Sequence, residues 1–283
     1  MHWTVVGGDR RQLYAAEALI RRGITVSVMG FENCQECSLP KFLPGDPTDF
    51  VLLPFPTERP EGTVFAPFAQ TPIGMADLFA DLVPQTVVVA GKLSLQAREQ
   101  AKRCELKVLE YGEREEFLLK NAIPSAEGAI QIAMEQLPIT LWRSRCLVIG
   151  CGRIGKLLAE KLHLLGAKVI VSARKAADFA WVEAHGWAAC ETQQLETHLA
   201  TADVVFNTVP APVLAGKQLQ ALRADSLVID LASVPGGTDF AAAERLGRKA
   251  LHALGLPGKL APQTAGEIVV ETVMTALFEQ RMM

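Results

Sequence analysis

The chain has 283 residues, near the upper limit for one hydrophobic core, so two domains of ordinary size are expected. Hydrophobic residues make up 49% and charged residues 21%, which excludes a disordered chain, and a net charge of -3 gives no electrostatic footprint for nucleic acid. Met1-His2-Trp3-Thr4-Val5-Val6 has no basic segment ahead of a long apolar one, and no later apolar run approaches a membrane span. The expectation is therefore a cytosolic protein with neither nucleic acid nor membrane as partner. Trp3 to Val6 predicts a buried strand, Gly7-Gly8-Asp9 a turn, and Arg10 to Arg22 a helix ended by Gly23. Further strands are expected at Thr25 to Met29, Phe50 to Leu53, Thr86 to Ala90 and Lys107 to Leu109. Ser94 is a plausible cap for a helix to Cys104, and the proline-rich stretch Asn33 to Gln70 should be mostly loop. Asn121-Ala122-Ile123-Pro124-Ser125-Ala126-Glu127-Gly128 follows, where Ser125 can cap a connector helix that runs to about Gln136 before Pro138.

A second series then begins, with strands at Cys146 to Ile149, Lys168 to Ser172, Val204 to Thr208, Leu227 to Leu231 and Leu251 to Ala253. A last helix is expected from Ala265 to Gln280, with one broad apolar stripe. Strands alternating with helices imply parallel sheets covered on both faces. The predicted fold is α/β: two doubly wound parallel-sheet domains, the second a Rossmann dinucleotide-binding domain. Its divisions are an N-terminal substrate domain over 1–123, a connector helix over 124–144, a cofactor domain over 145–264, and a C-terminal helix over 265–283 that could pack back on the first domain. Of the six cysteines only Cys34 and Cys37 form a CxxC pair; Cys104, Cys146, Cys151 and Cys190 are scattered. No metal site is expected, and a redox role for the pair stays open.

The strand Cys146 to Ile149 runs directly into Gly150-Cys151-Gly152-Arg153-Ile154-Gly155, which opens a helix from Ile154 to Leu165. In that context the glycines have separate tasks: Gly150 allows the tight turn, Gly152 lets the backbone approach a pyrophosphate, and Gly155 lets helix and strand pack closely. The phosphates would sit at the positive helix end. Where an acidic residue would hold the ribose of NAD, the chain has Ser172-Ala173-Arg174-Lys175. Arg174, Ser172 and Lys175 suit a 2′-phosphate, so NADP is favoured with NAD as alternative; the two cations could also be a solvated helix start. Asn207-Thr208-Val209-Pro210 and Asp230-Leu231-Ala232-Ser233-Val234-Pro235-Gly236-Gly237 leave the carboxyl ends of strands. Thr208, Val209, Pro210, Ala232 and Ser233 are therefore expected walls of the nicotinamide pocket, with Asp230 either part of it or a buried loop cap.

Together, Gly7-Gly8-Asp9-Arg10-Arg11-Gln12, Asn121 to Gly128, Gly150 to Gly155, Asp230 to Gly237, Leu256-Pro257-Gly258 and Ala261-Pro262 resemble the A subunits of dipicolinate synthase. The connector and dinucleotide motif also resemble 2-hydroxyacid and alanine dehydrogenases, whereas GGDxRQ is the discriminating piece. The resemblance implies oxidation of a dihydrodipicolinate-type precursor to pyridine-2,6-dicarboxylate in the mother cell of a sporulating bacterium, and its implied partner is a flavoprotein-like B subunit. Self-association is left open. A dicarboxylate substrate needs cationic or amide anchors. Arg11, facing the nicotinamide across a cleft, is the expected carboxylate anchor, and Glu127, one turn into the connector helix, is the expected polar group of the active site. No His–Asp or paired-carboxylate constellation is evident. Two other readings therefore stand: a non-catalytic NADP-binding subunit whose partner reacts, and a 2-hydroxyacid or amino-acid dehydrogenase.

Overall fold

The computed structural model describes residues 1–43 and 45–283; Pro44, in the proline-rich stretch, lies outside the described residues. Two compact units are present, one formed by Met1–Asn121 with Pro257–Met283 and the other by Ala122–Leu256. In chain order the elements are β1 (His2–Val6), α1 (Arg10–Ile20), β2 (Thr25–Met29), β3 (Phe50–Leu52), α2 (Met75–Ala80), β4 (Val87–Ala90), α3 (Leu95–Arg103), β5 (Lys107–Glu110) and α4 (Glu115–Gln136). They continue with β6 (Arg145–Ile149), α5 (Arg153–Leu164), β7 (Lys168–Ala173), α6 (Ala176–Ala184), β8 (Ala188–Glu191), α7 (Glu196–Leu199), β9 (Val204–Asn207) and α8 (Gly216–Ala221). The last elements are β10 (Leu227–Asp230), α9 (Phe240–Arg245), β11 (Lys249–His252), α10 (Leu256–Leu260) and α11 (Pro262–Glu279).

Both sheets are wholly parallel, ordered β2-β1-β3-β4-β5 in the first unit and β11-β10-β9-β6-β7-β8 in the second. The continuous apolar runs of their strands follow from burial on both faces. Val5, Leu52 and Val89 face one core of the first unit, while their neighbours Val6, Val51 and Val88 face the other. Leu147 and Val205 are likewise separated from Val148 and Phe206 in the second unit. Successive side chains of a strand point to opposite faces, so one run fills two helix layers.

The connector differs from the sequence expectation. Instead of a helix capped by Ser125, α4 starts at Glu115, ends at Gln136 and carries Pro124 and Ser125 in its interior. Glu115 and Glu116 in its first turn suit the positive helix end. Pro124 removes one backbone hydrogen bond. Against that loss, Ala126, Ala129, Ile130 and Ala133 recur at helical spacing and are buried in the core of the second unit. The return to the first unit begins at Pro257, ahead of the expected 265. The edge strand β8 was not expected, because only Cys190 of its four residues is buried and Ala188 and Ala189 have little strand propensity.

Helix α11 lies along α1 within the first unit, and Gly266 sets the approach. A Cβ built at Gly266 would stand 2.5 Å from the Arg11 carbonyl oxygen and 2.8 Å from the Ala15 nitrogen. Ala15, Ala18, Val269, Val270 and Val273 fill the seam. Gly266→Leu should lower stability by about 1–3 kcal/mol through overpacking against backbone that cannot yield. Urea unfolding checks this; an unchanged midpoint would mean that the helices separate freely.

Candidate cofactor site and the motif turns

The carboxyl edge of the second sheet is organised by the turn after β6. Gly150 has φ +101, in the left-handed region that favours glycine, and a Cβ there would meet Thr208 Oγ1 at 2.6 Å and Val209 Cγ2 at 2.8 Å. Gly155 is tighter still, its Cβ position lying 2.0 Å from the Gly150 carbonyl oxygen. Gly152 differs: it is the N-cap of α5, with no side-chain cap, and no atom of the described residues lies within 4 Å of its Cβ position. Two glycines thus serve packing inside the protein, and the third leaves free the space over the positive end of a 12-residue helix. The open Gly152 position and the helix amino end are the features that a pyrophosphate would need.

Of the other expected cofactor residues, several support the turn rather than face outward. Ser172 is fully buried; its Oγ accepts from the Gly150 nitrogen at 3.3 Å and lies 3.1 Å from Thr192 Oγ1. Its expected contact with a 2′-phosphate is corrected on that ground. Thr208 donates its hydroxyl to the Ile149 carbonyl at 2.9 Å, and Ile154 packs against the core. Arg153, Arg174, Lys175, Pro210 and Ser233 are exposed, Val209 is half-buried and Ala232 is buried. Arg174 lines a cavity of about 170 Å³ with Phe179, Glu191, Thr192 and Gln193. Glu191 is the acidic residue nearest the end of β7 in the sheet register, opposite Ala173, and sequence reading missed it because β8 was missed.

Cys151 is half-buried against the same core, and burial together with the neighbouring Asp178 carboxylate pushes its thiol up. Asp178 also pairs with Lys156 at 3.7 Å, and the Lys156 ammonium lies 4.8 Å from the centre of the Trp181 ring.

Asp230 is a structural carboxylate. Fully buried, it accepts from Asn207 Nδ2 at 3.0 Å and from the Ala232 and Gly237 nitrogens, both at 2.9 Å. Asn207 in turn holds the Val209 nitrogen and carbonyl at 3.0 and 3.1 Å. His252 Nε2 lies 3.0 Å from the Ala232 carbonyl, and its ring stacks on Phe240. Neither Asn207 nor His252 was among the expected site residues; the signal for Asn207 was a polar residue closing an otherwise apolar strand.

In the first unit the Gly7–Gln12 segment forms the turn between β1 and α1. Asp9 caps α1 by accepting from the Arg11 nitrogen at 3.0 Å. The same carboxylate takes the Arg11 guanidinium in a fork, Nε to Oδ1 at 2.8 Å and Nη2 to Oδ2 at 2.9 Å. Gly258 packs on this pair, its Cβ position 2.5 Å from Asp9 Oδ2. The expected role of Arg11 as a substrate anchor is therefore withdrawn: its bidentate donors are spent on a structural carboxylate. Glu127 is also corrected, since it lies in the middle of α4 and accepts from Lys161 Nζ at 2.9 Å in an exposed pair. Arg10 pairs with Glu36, and Lys92 with Glu113. Gln12 stands apart, being 2% exposed with a side-chain nitrogen that has no hydrogen-bond partner among the described residues. It touches Gly8 beside Pro54, at the junction of β1 and β3 where the chain switches sides of the sheet.

Residues 2–112 match the family model for the N-terminal domain of the dipicolinate synthase A subunit, and residues 125–233 match the NAD binding domain of D-isomer specific 2-hydroxyacid dehydrogenases. The dipicolinate synthase A subunit of Bacillus subtilis (strain 168) is 33% identical over 286 residues, covering 97% of this chain and 95% of that protein. The crystal structure of the dipicolinate synthase A subunit from Bacillus halodurans superposes with a TM-score of 0.88 at 32% identity, covering 98% of this chain and 97% of that one. Transhydrogenase from Sinorhizobium meliloti shares the fold, with a TM-score of 0.71 at 15% identity over 99% of this chain and 94% of that one. With its GGDxRQ turn and its dehydrogenase-type NAD-binding domain in one chain, the protein belongs to the family of dipicolinate synthase A subunits.

Proposed function

We propose that the chain is an NADP-dependent oxidoreductase that converts a dihydrodipicolinate-type precursor to pyridine-2,6-dicarboxylate in the mother cell of a spore-forming bacterium, working with a flavoprotein-like B subunit. The observation that carries the reading is the open amino end of α5 over Gly152. Beside it, β7 is followed by exposed Arg174 and Lys175, with no acid at the strand end itself. NADP+ supplies the hydride acceptor. The protein supplies the positive end of α5 for the pyrophosphate and a guanidinium for the 2′-phosphate. The loops fixed by Asp230 and Asn207 form a wall that does not need to reorganise on binding. Aromatisation of the ring drives the oxidation, so positioning is the larger task of the protein.

Two particular observations favour other readings. Glu191 shares the Arg174 cavity and could accept from a ribose hydroxyl, which favours NAD. Arg11 and Glu127 are both engaged in ion pairs, which favours a cofactor-binding subunit whose partner carries the reacting groups. Measuring NADP reduction with fresh dihydrodipicolinate, in the presence and absence of the B subunit, separates catalysis by this chain from catalysis by the pair.

NADP should bind at least tenfold more tightly than NAD, because a charge-assisted hydrogen bond to the 2′-phosphate contributes about 1.5–3 kcal/mol. Arg174→Ala should erase that preference and leave NAD affinity nearly unchanged. Equal binding of the two nucleotides by the parent chain would sink the assignment of Arg174 and turn attention to Glu191, whose Gln variant should then lose NAD.

The glycines separate cleanly. Gly152→Val should leave the urea midpoint of the parent in place and abolish nucleotide binding, whereas Gly155→Val should destabilise the fold itself. A Gly152→Val protein that still binds NADP normally removes this turn from the cofactor site.

Gln12 takes the place of Arg11 as the proposed polar contact of the first unit. A buried amide without a partner lowers stability, so Gln12→Leu should be neutral to stabilising by about 1–3 kcal/mol. If the amide serves the substrate, the same variant should raise KM several-fold. A variant with lowered stability and an unchanged KM would show Gln12 to be a packing residue only.

A further inference from the structure

The first unit carries one sequence motif that nucleotide binding and oxidation leave unused, the pair Cys34 and Cys37 in the segment after β2. The Cys37 nitrogen donates to the Cys34 carbonyl at 3.1 Å, closing a four-residue turn. Such a turn holds its end Cα atoms within about 7 Å, which overlaps the span that a disulfide bridges. Both cysteines belong to the same core cluster of the first unit, Cys34 as a buried member and Cys37 packed against it. Cys34 is buried at 8% exposure and Cys37 is half-buried.

We propose that Cys34 and Cys37 form a reversible dithiol–disulfide site that exchanges with low-molecular-weight disulfides. The more accessible Cys37 thiolate attacks one sulfur of the small disulfide, forming a mixed disulfide and releasing one small thiolate. Cys34, held across the turn, then loses its proton to solvent and attacks the Cys37 sulfur, releasing the second small thiolate. Two electrons pass from the protein to the small disulfide, and one intramolecular S–S bond replaces two S–H bonds.

The other cysteines are poorly placed to compete. Burial pushes the Cys146 and Cys190 thiols up to about 11 and raises that of Cys151 as well, which lowers their thiolate fraction. Cys104 is half-buried and belongs to the other face of the first sheet. The turn also has something to act on. Glu36, between the two cysteines, pairs at 2.7 Å with Arg10, the first residue of α1 and a member of the Gly7–Gln12 turn. Oxidation would therefore be felt at the family motif of the first unit.

The test treats the reduced full-length chain with oxidised glutathione, quenches with acid, alkylates the remaining thiols and reads intact mass and the peptide containing residues 23–41. Of the six thiols, two should be lost as an internal pair within that peptide, with no glutathione retained, and dithiothreitol should restore both. Cys34→Ser, or Cys34→Ala should serine not be tolerated, should instead retain one glutathione on Cys37. Six alkylatable thiols after treatment, a glutathione adduct that persists on Cys37 of the parent, or oxidation confined to Cys104 would each overturn the proposal.

Discussion

The contact on which the second unit depends is the meeting of two glycines with one peptide oxygen between them. Gly155 can lie against the Gly150 carbonyl only because neither residue has a side chain there, and Gly150 can turn only because its φ is positive. From that contact follows the direction of α5. The position of Thr208 follows as well, since its hydroxyl fits between the strand end and both glycines. A methyl group at either position would force the strand end, the helix or the Thr208 loop to shift.

A second constraint works through charge. The Asp230 carboxylate is satisfied by two backbone amides and the Asn207 side chain rather than by a cation. Buried carboxylates held in this way fix loops, because each donor must return to the same place for the charge to remain solvated. The same principle applies at Asp9, where a carboxylate caps a helix and fills the fork of Arg11. In both sheets an aspartate beside a strand end shapes the neighbouring loop, and an acidic residue in a motif is consequently a poor guide to catalysis.

How far the sequence could be read follows from these particulars. The apolar runs at Thr25–Met29 and Cys146–Ile149 and the glycine spacing after β6 are local signals, and the two parallel sheets were legible from them. The family was legible from the GGDxRQ turn together with the dinucleotide motif. What was not legible depended on partners distant in sequence. Arg11 looked like a free cation because Asp9 could equally have faced away, and Ser172 looked available because the depth of its strand end is set by Thr192. Pro124 looked like a boundary because its local cost is visible, whereas the alanine face that outweighs it matters only once a core exists. Four-residue β8, with one buried side chain, carries almost no periodic signal at all.

The first unit is built from both ends of the chain, with α11 supplying Ile268, Val269, Val273 and Leu277 to the core that α1 faces. On a ribosome, chain emerges from the amino end, so every residue of the second unit is available before α11 exists. Until then the Arg11 and Ala15 backbone, against which Gly266 packs, lacks the cover that α11 provides. The unit encoded first is thus the one completed last. Its half-built apolar face must stay soluble for the time needed to translate the whole nucleotide-binding unit.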